Sequence, residues 1–412
     1  MIGSTSAKYA VRSIRRHPRR TILSVLGVGI GCGIGLFAVS WIRGSREMQI
    51  RAVAESGGGH LRIVPAGWTE KRENSYRLVA WERTLGEVKA TPGVKATAPR
   101  ARANGLLAMG NRTSGAEVIG VDPEAERVSN RIVRKCTFEG RYLEPGDSGK
   151  VVIGKVLAKR LNVELDDDLL VTLSGRDEMK SAMLRIVGIG ETGSREIDAS
   201  FCHVLLDDIF RITGYEGPGE VAILLQSHKL IDQTQRALAK TLPGDNEVIT
   251  WREVNPGIAA NVEGDTAFTS GLIGIIVIVV VLGMASAQLT AVLERRREFA
   301  ILTALGMKGV RIVSLIVLEA LIIGLGGAIA ALALGGPAAY YLANKGVNIG
   351  ALYKTEELSF GDVLLDPHMY GDFGLWVLWF ALGVSLMATL VASIYPAWFA
   401  TRTDPANALR MV

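Results

Sequence analysis

Four long stretches almost free of charge set the terms for this chain. Thr21 to Ile42 carries no charged residue, nor does Ala267 to Leu293; Ile312 to Leu334 carries only Glu319, and Phe373 to Pro396 carries none. A bilayer core of about 30 Å is crossed by roughly 20 apolar helical residues. Each stretch meets that length. A soluble core rarely needs several such runs, so the four are read as transmembrane helices. The 49% hydrophobic content and mean hydropathy of +0.27 agree with that reading.

Orientation follows from the basic residues in the short flanks. Lys8, Arg12, Arg15, Arg16, Arg19 and Arg20 precede the first span, and Arg295, Arg296, Arg297, Lys308 and Arg311 lie between the second and third. The opposite loop, Gly335 to Asp372, has only Lys345 and Lys354. This places both termini and the second-to-third connection in the cytoplasm, and the long segment after the first span outside. That segment is nearly neutral, so the net charge of +5 comes from residues beside the membrane. They read as topology determinants touching anionic lipid, not as a nucleic-acid footprint.

The expected fold class is an α-helical membrane protein of four transmembrane helices with a large α+β extracytoplasmic domain. Its order is a cytoplasmic amphipathic helix (1–20), a first span (21–43), the outer domain (44–266), a second span (267–293), a cytoplasmic helix (294–309), a third span (310–334), an outer loop (335–372), a fourth span (373–396) and a cytoplasmic tail (397–412). Within the outer domain, strand patterns fall at His60 to Val64, Ala116 to Val121, Val151 to Ile153, Leu169 to Leu173, Leu184 to Val187, Val204 to Leu206 and Val221 to Leu225. Helical patterns fall at Lys155 to Leu161, Asp207 to Thr213 and Ile231 to Leu242. Interspersed short strands and helices suggest two lobes.

No catalytic or metal-binding pattern is found. Gly149-Lys150 is followed by Val151 and lacks the first glycine of a phosphate-binding loop, so no ATPase is encoded. The histidines are scattered, and no cysteine pair has zinc spacing. Asp166-Asp167-Asp168 lacks the alternation and glycine of a calcium loop. Cys136 and Cys202 both fall in the outer domain, where an oxidising compartment permits a disulfide. In the first span, Gly27, Gly31 and Gly35 line one helix face with Gly29 and Gly33 beside it. Such a face lets two backbones approach, inside the chain or between this chain and a second copy or partner. Glu319 is the one ionisable residue within a span, and charges there default to function. It either pairs with a basic residue of the inner connection or reaches out to the membrane surface.

That connection reads Glu294-Arg295-Arg296-Arg297-Glu298-Phe299-Ala300-Ile301-Leu302-Thr303-Ala304-Leu305-Gly306-Met307. It begins charged, turns apolar at helical spacing and stops at a glycine. Phe299, Leu302 and Leu305 form one stripe, suited to the inner membrane surface or to a soluble partner.

From Arg295 to Gly306 this stretch resembles the R-x-R-E-[FI]-x-[IL]-x-x-A-[LI]-G motif of the FtsX-like permeases. Glu319-Ala320, Gly324, Gly326, Gly327, Pro396-Ala397, Ala400, Pro405 and Ala408-Leu409-Arg410 match further family positions. The outer-domain runs Gly59 to Ile63, Val152 to Ala158 and Arg185 to Ile189 look most like the lipoprotein-releasing branch, although Leu165-Asp166-Asp167 stands where a Gly-Asp turn is usual.

The resemblance implies a bacterial inner-membrane permease of an ABC transporter working by mechanotransmission. Two copies of a cytoplasmic ATPase would carry ATP and magnesium, leaving this chain without a cofactor of its own. Arg295, Arg297, Glu298, Phe299, Ile301, Leu302, Leu305, Gly306 and Met307 would form the coupling helix, with Glu319 as an intramembrane coupling residue. Further implied partners are a second permease, identical or homologous, a lipid or lipoprotein cargo, and a periplasmic chaperone or adaptor. Two other readings stay open: efflux with an adaptor and an outer-membrane duct, and a signalling or scaffold permease that moves nothing.

Overall fold

The computed structural model describes residues 18–71, 73–242, 244–353, 358–360 and 363–402. The expected amphipathic helix over residues 1–20 lies outside them up to His17, and the tail with Pro405 and Ala408 to Arg410 lies outside them from Thr403 on. The chain divides into two compact units. Residues 1–45, 263–347 and 370–412 form the membrane unit, and residues 46–262 and 348–369 form the outer unit.

The membrane unit is built from four helices, Pro18–Glu55, Pro256–Glu294, Gly309–Lys345 and Trp376–Thr401, each long and apolar enough to cross a membrane. A shorter connecting helix, Arg296–Ala304, joins the second to the third. The first helix has 38 residues, about 57 Å at helical rise, nearly twice a bilayer core. It outruns the apolar stretch because backbone hydrogen bonding does not stop where side chains become polar. Glycine ends the third helix: Gly346, at φ +67°, donates its N–H to the Leu342 carbonyl at 3.1 Å.

Small residues bring these helices together. A methyl group on Gly335 would lie 2.6 Å from the Gly33 carbonyl oxygen, and one on Gly327 would lie 2.5 Å from Val28 Cγ1. Only glycine permits that approach of the first and third helices. Val28, Leu36, Met284, Ile323 and Ala381 belong to the apolar cluster that fills the bundle.

The outer unit is organised by a ten-stranded mixed sheet ordered β10-β1-β9-β2-β3-β8-β5-β7-β4, with β6 pairing β2 and β7. The strands are β1 (Leu61–Pro65), β2 (Val94–Met109), β3 (Arg112–Val121), β4 (Thr137–Gly140), β5 (Lys150–Gly154), β6 (Asp168–Ser174), β7 (Met179–Glu191), β8 (Cys202–Leu205), β9 (Glu220–Leu225) and β10 (Asn246–Thr250). The expected strands coincide with seven of these within a few residues, and Leu206 opens a helix instead of closing β8. The helices Lys155–Leu161, Leu206–Thr213 and Ile231–Thr241 lie where the sequence pattern put them. One continuous sheet replaces the expected two lobes. The long β2 bridges it, pairing antiparallel with β9, β3 and β6.

The expected outer loop over 335–372 is not a loop throughout. Its start continues the third helix, and residues 348–369 belong to the outer unit. There Leu364 is fully buried in a cluster with Val121, Ile132 and Phe201. Its N–H donates to Ser56 Oγ at 3.0 Å, and Asp366 takes an ion pair from Arg131 at 2.9 Å.

Cys32, Cys136 and Cys202 are free. Cys202 sits on β8 and Cys136 directly precedes β4, with β5 and β7 between them. Three strand spacings amount to about 14 Å, beyond the Cα reach of a disulfide. Burial pushes both thiols up to about 12, with Asp198 adding to the effect at Cys136.

Candidate functional site in the membrane unit

The connecting helix is short, so its ends decide its geometry. Beyond Ala304 the chain reverses at Gly306, at φ +87°, a conformation that L side chains seldom adopt. The Met307 N–H donates to the Leu302 carbonyl at 3.0 Å, and the Gly306 N–H to that of Thr303 at 2.9 Å. These two bonds form a Schellman cap. The helix therefore stops at a fixed residue.

Its two faces differ. Phe299 and Ala300 are buried, and Leu302 and Met307 pack with Phe299 against Val292, Ile312 and Ile316. Arg297 and Glu298 face outward with Ile301, and Leu305 is 80% exposed. The expected stripe of Phe299, Leu302 and Leu305 is thus broken. The cap turns Leu305 away from the face that holds the other two.

An ion-pair knot anchors the start of the same helix. Arg295 Nη1 donates to Glu319 Oε2 at 3.1 Å, and Arg295 Nε to Glu298 Oε2 at 3.3 Å. The Arg295 guanidinium also lies 5.1 Å from the Phe299 ring centroid. From the first membrane helix, Arg20 reaches Glu319 Oε1 at 3.5 Å and Glu294 Oε2 at 3.0 Å. Of the two alternatives for Glu319, pairing is the one observed. Exposed pairs such as Arg20 with Glu294 contribute about 0–1 kcal/mol. The Arg295–Glu319 pair is different, with side chains only 10% and 15% exposed, so removal of Arg295 leaves Glu319 with only the longer contact to Arg20 at 3.5 Å. A lone acid within a span announces that it needs a base, but its spacing from Arg20 gives no hint, so sequence reading missed Arg20. It also missed Gln288, which lines the same cleft. Nothing in the chain order around Gln288 signals that role.

The glycine face resolves into separate contacts. A methyl on Gly31 would meet Val280 Cγ2 at 2.2 Å and one on Gly29 would meet Ala330 Cβ at 2.4 Å, while one on Gly35 would be 3.9 Å from the Phe380 ring. Among the described residues, Gly27 has nothing within 4 Å. Gly31 and Gly29 therefore serve close packing inside this chain, whereas Gly35 has room for a methyl.

The outer unit holds a second polar cluster around a cavity of about 100 Å³ lined by Arg100, Arg102, Glu117, Glu126 and His203. Glu126 accepts from Arg100 Nη2 at 2.8 Å, and Arg100 also donates to the Gly57 carbonyl. Arg102 donates to Glu117 at 2.7 Å and to Glu220 at 3.1 Å, and Arg62 to Glu220 at 2.7 Å. Burial alone would raise Glu220, but Arg102, Arg62 and Arg100 outweigh it and bring it to about 2. Burial lowers His203 to about 4 against the opposing pull of Glu126, so its ring is neutral. Its Nδ1 shares a 2.9 Å hydrogen bond with the Tyr142 hydroxyl. Three arginines face three glutamates here. The cluster is a self-neutralised ladder across the sheet and leaves no net charge to attract a charged substrate. Among the described residues, no group of His, Cys, Asp and Glu could hold a metal.

Comparison with known proteins fits this arrangement. The FtsX-like permease C-terminal model matches residues 270–405, and the MacB-like periplasmic core domain model matches residues 21–241. The lipoprotein-releasing system transmembrane protein LolC of Xylella fastidiosa (strain 9a5c) is 24% identical over 429 residues, covering 100% of both chains. The macrolide export ATP-binding/permease protein MacB of Hyphomonas neptunium is 25% identical over 415 residues, covering 98% of this chain and 60% of that protein. Among solved structures, the periplasmic region of MacB from Actinobacillus actinomycetemcomitans matches with a TM-score of 0.36 and 13% identity, covering 51% of this chain and 95% of that one. The two family matches together span both units, and the chain belongs to the FtsX-like permeases with a MacB-like periplasmic core domain, an ABC transporter permease of the inner membrane.

Proposed function

We propose that this permease extracts lipoprotein or another amphiphilic cargo from the membrane, driven by a separate cytoplasmic ATPase that seats the connecting helix. One observation carries the coupling part. A capped helix buries Phe299 with Leu302 packed partly buried beside it, is tied to Glu319 through Arg295, and presents Arg297, Glu298, Ile301 and Leu305 outward. A lipid-facing helix would not need two ion-paired arginines at its root. A helix that must pass displacement to the membrane helices does, because a rigid link carries motion where a loose one absorbs it. The basic flank of Arg295, Arg296, Arg297, Lys308 and Arg311 supports a cytoplasmic position for this face. ATP and magnesium belong on the partner, two copies per pair of permeases.

Lipoprotein cargo draws support from the relative named for lipoprotein release, which aligns over the whole chain. The relative named for macrolide export, whose name joins ATP binding and permease in one protein, favours efflux as a second reading.

Affinity purification of the tagged chain in mild detergent, with mass spectrometry of proteins and lipids, tests the reading. An ATPase with acylated protein or lipid supports extraction, and an ATPase with a periplasmic adaptor supports efflux. Purification without any ATPase overturns both. Leu305→Asp should abolish ATPase capture while leaving the fold intact, since Leu305 is 80% exposed.

A further inference from the structure

Gln288 lies on the second membrane helix, 6% exposed, and among the described residues neither its amide nitrogen nor its amide oxygen has a hydrogen-bond partner. A buried amide with both ends unmet is costly, on the order of 1–3 kcal/mol for each unmet group. In an apolar bundle a leucine would fill the same space at no such cost. Its surroundings are polar, however. The cleft it lines is also lined by Arg20 and Ser24 of the first helix, by Arg295, and by Glu319 of the third.

Size decides what this cleft can take. Its volume is about 20 Å³, and one water needs roughly 10–15 Å³ measured this way. A lipid headgroup or a nucleotide phosphate is excluded. A bound water also needs two to four polar partners, which the Gln288 amide, the Glu319 carboxylate and the Ser24 hydroxyl can supply. We infer that this cleft binds a single structural water that joins Gln288 to the Arg20–Glu319–Arg295 knot, making Gln288 a positioning residue of the coupling machinery. The inference rests on the coupling role proposed above for the connecting helix. Its consequence is that three of the four membrane helices are tied to one carboxylate. The first is tied through Arg20, the second through Gln288 and its water, and the third through Glu319 itself. Gln288 and Arg295, which directly follows the end of the second helix, line the same cleft, so movement of Arg295 is felt at the water.

The test uses the full-length permease reconstituted with its ATPase in lipid nanodiscs. It compares wild type with Gln288→Leu and Gln288→Glu. Wild type at a resolution that shows ordered solvent should carry a water between Gln288 and Glu319, absent from Gln288→Leu. Gln288→Leu should keep its thermal stability yet lose about fivefold in cargo-stimulated ATP hydrolysis, the size of one net hydrogen bond. Gln288→Glu places a second carboxylate beside Glu319, so its stimulation should survive at acidic pH and fall at alkaline pH, a profile that wild type lacks. The inference is overturned if Gln288→Leu melts higher and couples as well as wild type, or if the wild-type cleft is dry. Failure of wild type to assemble with any ATPase overturns the coupling reading instead, and the solvent density still decides whether the water exists.

Discussion

Gly335 and Gly27 form a natural pair for asking what glycine does in these helices. At Gly335 the obstacle to a methyl group is the Gly33 backbone oxygen, which cannot rotate away, whereas at Gly27 no atom of the described residues lies within 4 Å. Gly335→Ala should destabilise the bundle by about 1–3 kcal/mol through overpacking. Gly27→Ala should be neutral or gain up to about 1 kcal/mol of helix propensity. Thermal melting of the purified chain distinguishes them. Loss of permease pairing in Gly27→Ala, with the melt unchanged, would mark Gly27 as facing a second copy. Glu319 supports a further expectation at this scale. Glu319→Gln leaves Arg20 and Arg295 facing a neutral amide, costing about 1–3 kcal/mol and uncoupling ATP hydrolysis from cargo. How legible such residues were depended on rarity. A single acid in four apolar spans stands out in the sequence, and its base in the inner connection could be anticipated. Arg20 could not, because it is one of several arginines before the first span and only packing selects it. The glycine pattern was visible, but its assignment was not. Gly29, a flanking position by periodicity, makes a contact nearly as close as Gly31 does, because the third helix approaches from that side.

The connecting helix illustrates what an element boundary is worth. Its nine residues are too few for stability in isolation, so cap and buried face must hold it. Gly306→Ala should strain the reversal at φ +87° by about 1–2 kcal/mol and loosen Leu305. The expected result is weaker ATPase stimulation with little change in the global melt. The helix itself was legible from its charge-to-apolar transition and terminal glycine. The direction of Leu305 was not, since a Schellman cap changes the facing of the residue before the glycine without altering the pattern. Strand β2 shows the opposite failure. It is the longest strand in the sheet, yet it carries Pro99, Gly105 and the buried Arg100, all features that argue against a strand. Arg100 is tolerated there because Glu126 and the Gly57 carbonyl satisfy it, and such partners are invisible to a local pattern. The sheet seals that strand on both edges only after β9, β3 and β6 are in place.

At the scale of the molecule, the outer unit should be sensitive to mild acid. Burial lowers His60 and His203 from 6.5 to about 4, with cationic neighbours of His60 adding to the effect. Their neutral forms are favoured by folding, so the stability they carry is complete above pH 6.5 and is lost as pH falls toward 4. The loss approaches about 1.4 kcal/mol per pH unit for each histidine. Glu220, lowered to about 2 by its arginines after burial is overcome, gives way only in the later window below about 4.5. The melting temperature of the outer unit within the full chain should therefore fall between pH 6.5 and 4, and His203→Gln should remove about half of that fall. An unchanged slope in His203→Gln would show that His203 is not the group being titrated.

The outer unit is also discontinuous in sequence, with residues 46–262 completed by residues 348–369. Synthesis proceeds from the N-terminus, and domains fold largely as they emerge. This unit cannot do so in one step. When residue 262 has left the ribosome, the Leu364 side chain that fills the Val121–Ile132–Phe201 cluster and the acid that Arg131 pairs with have not yet been made. They arrive only after the second and third membrane helices have been inserted. Biogenesis of this permease therefore has an enforced order, in which a nearly complete outer unit waits with an open seam for a segment delivered from beyond two membrane crossings.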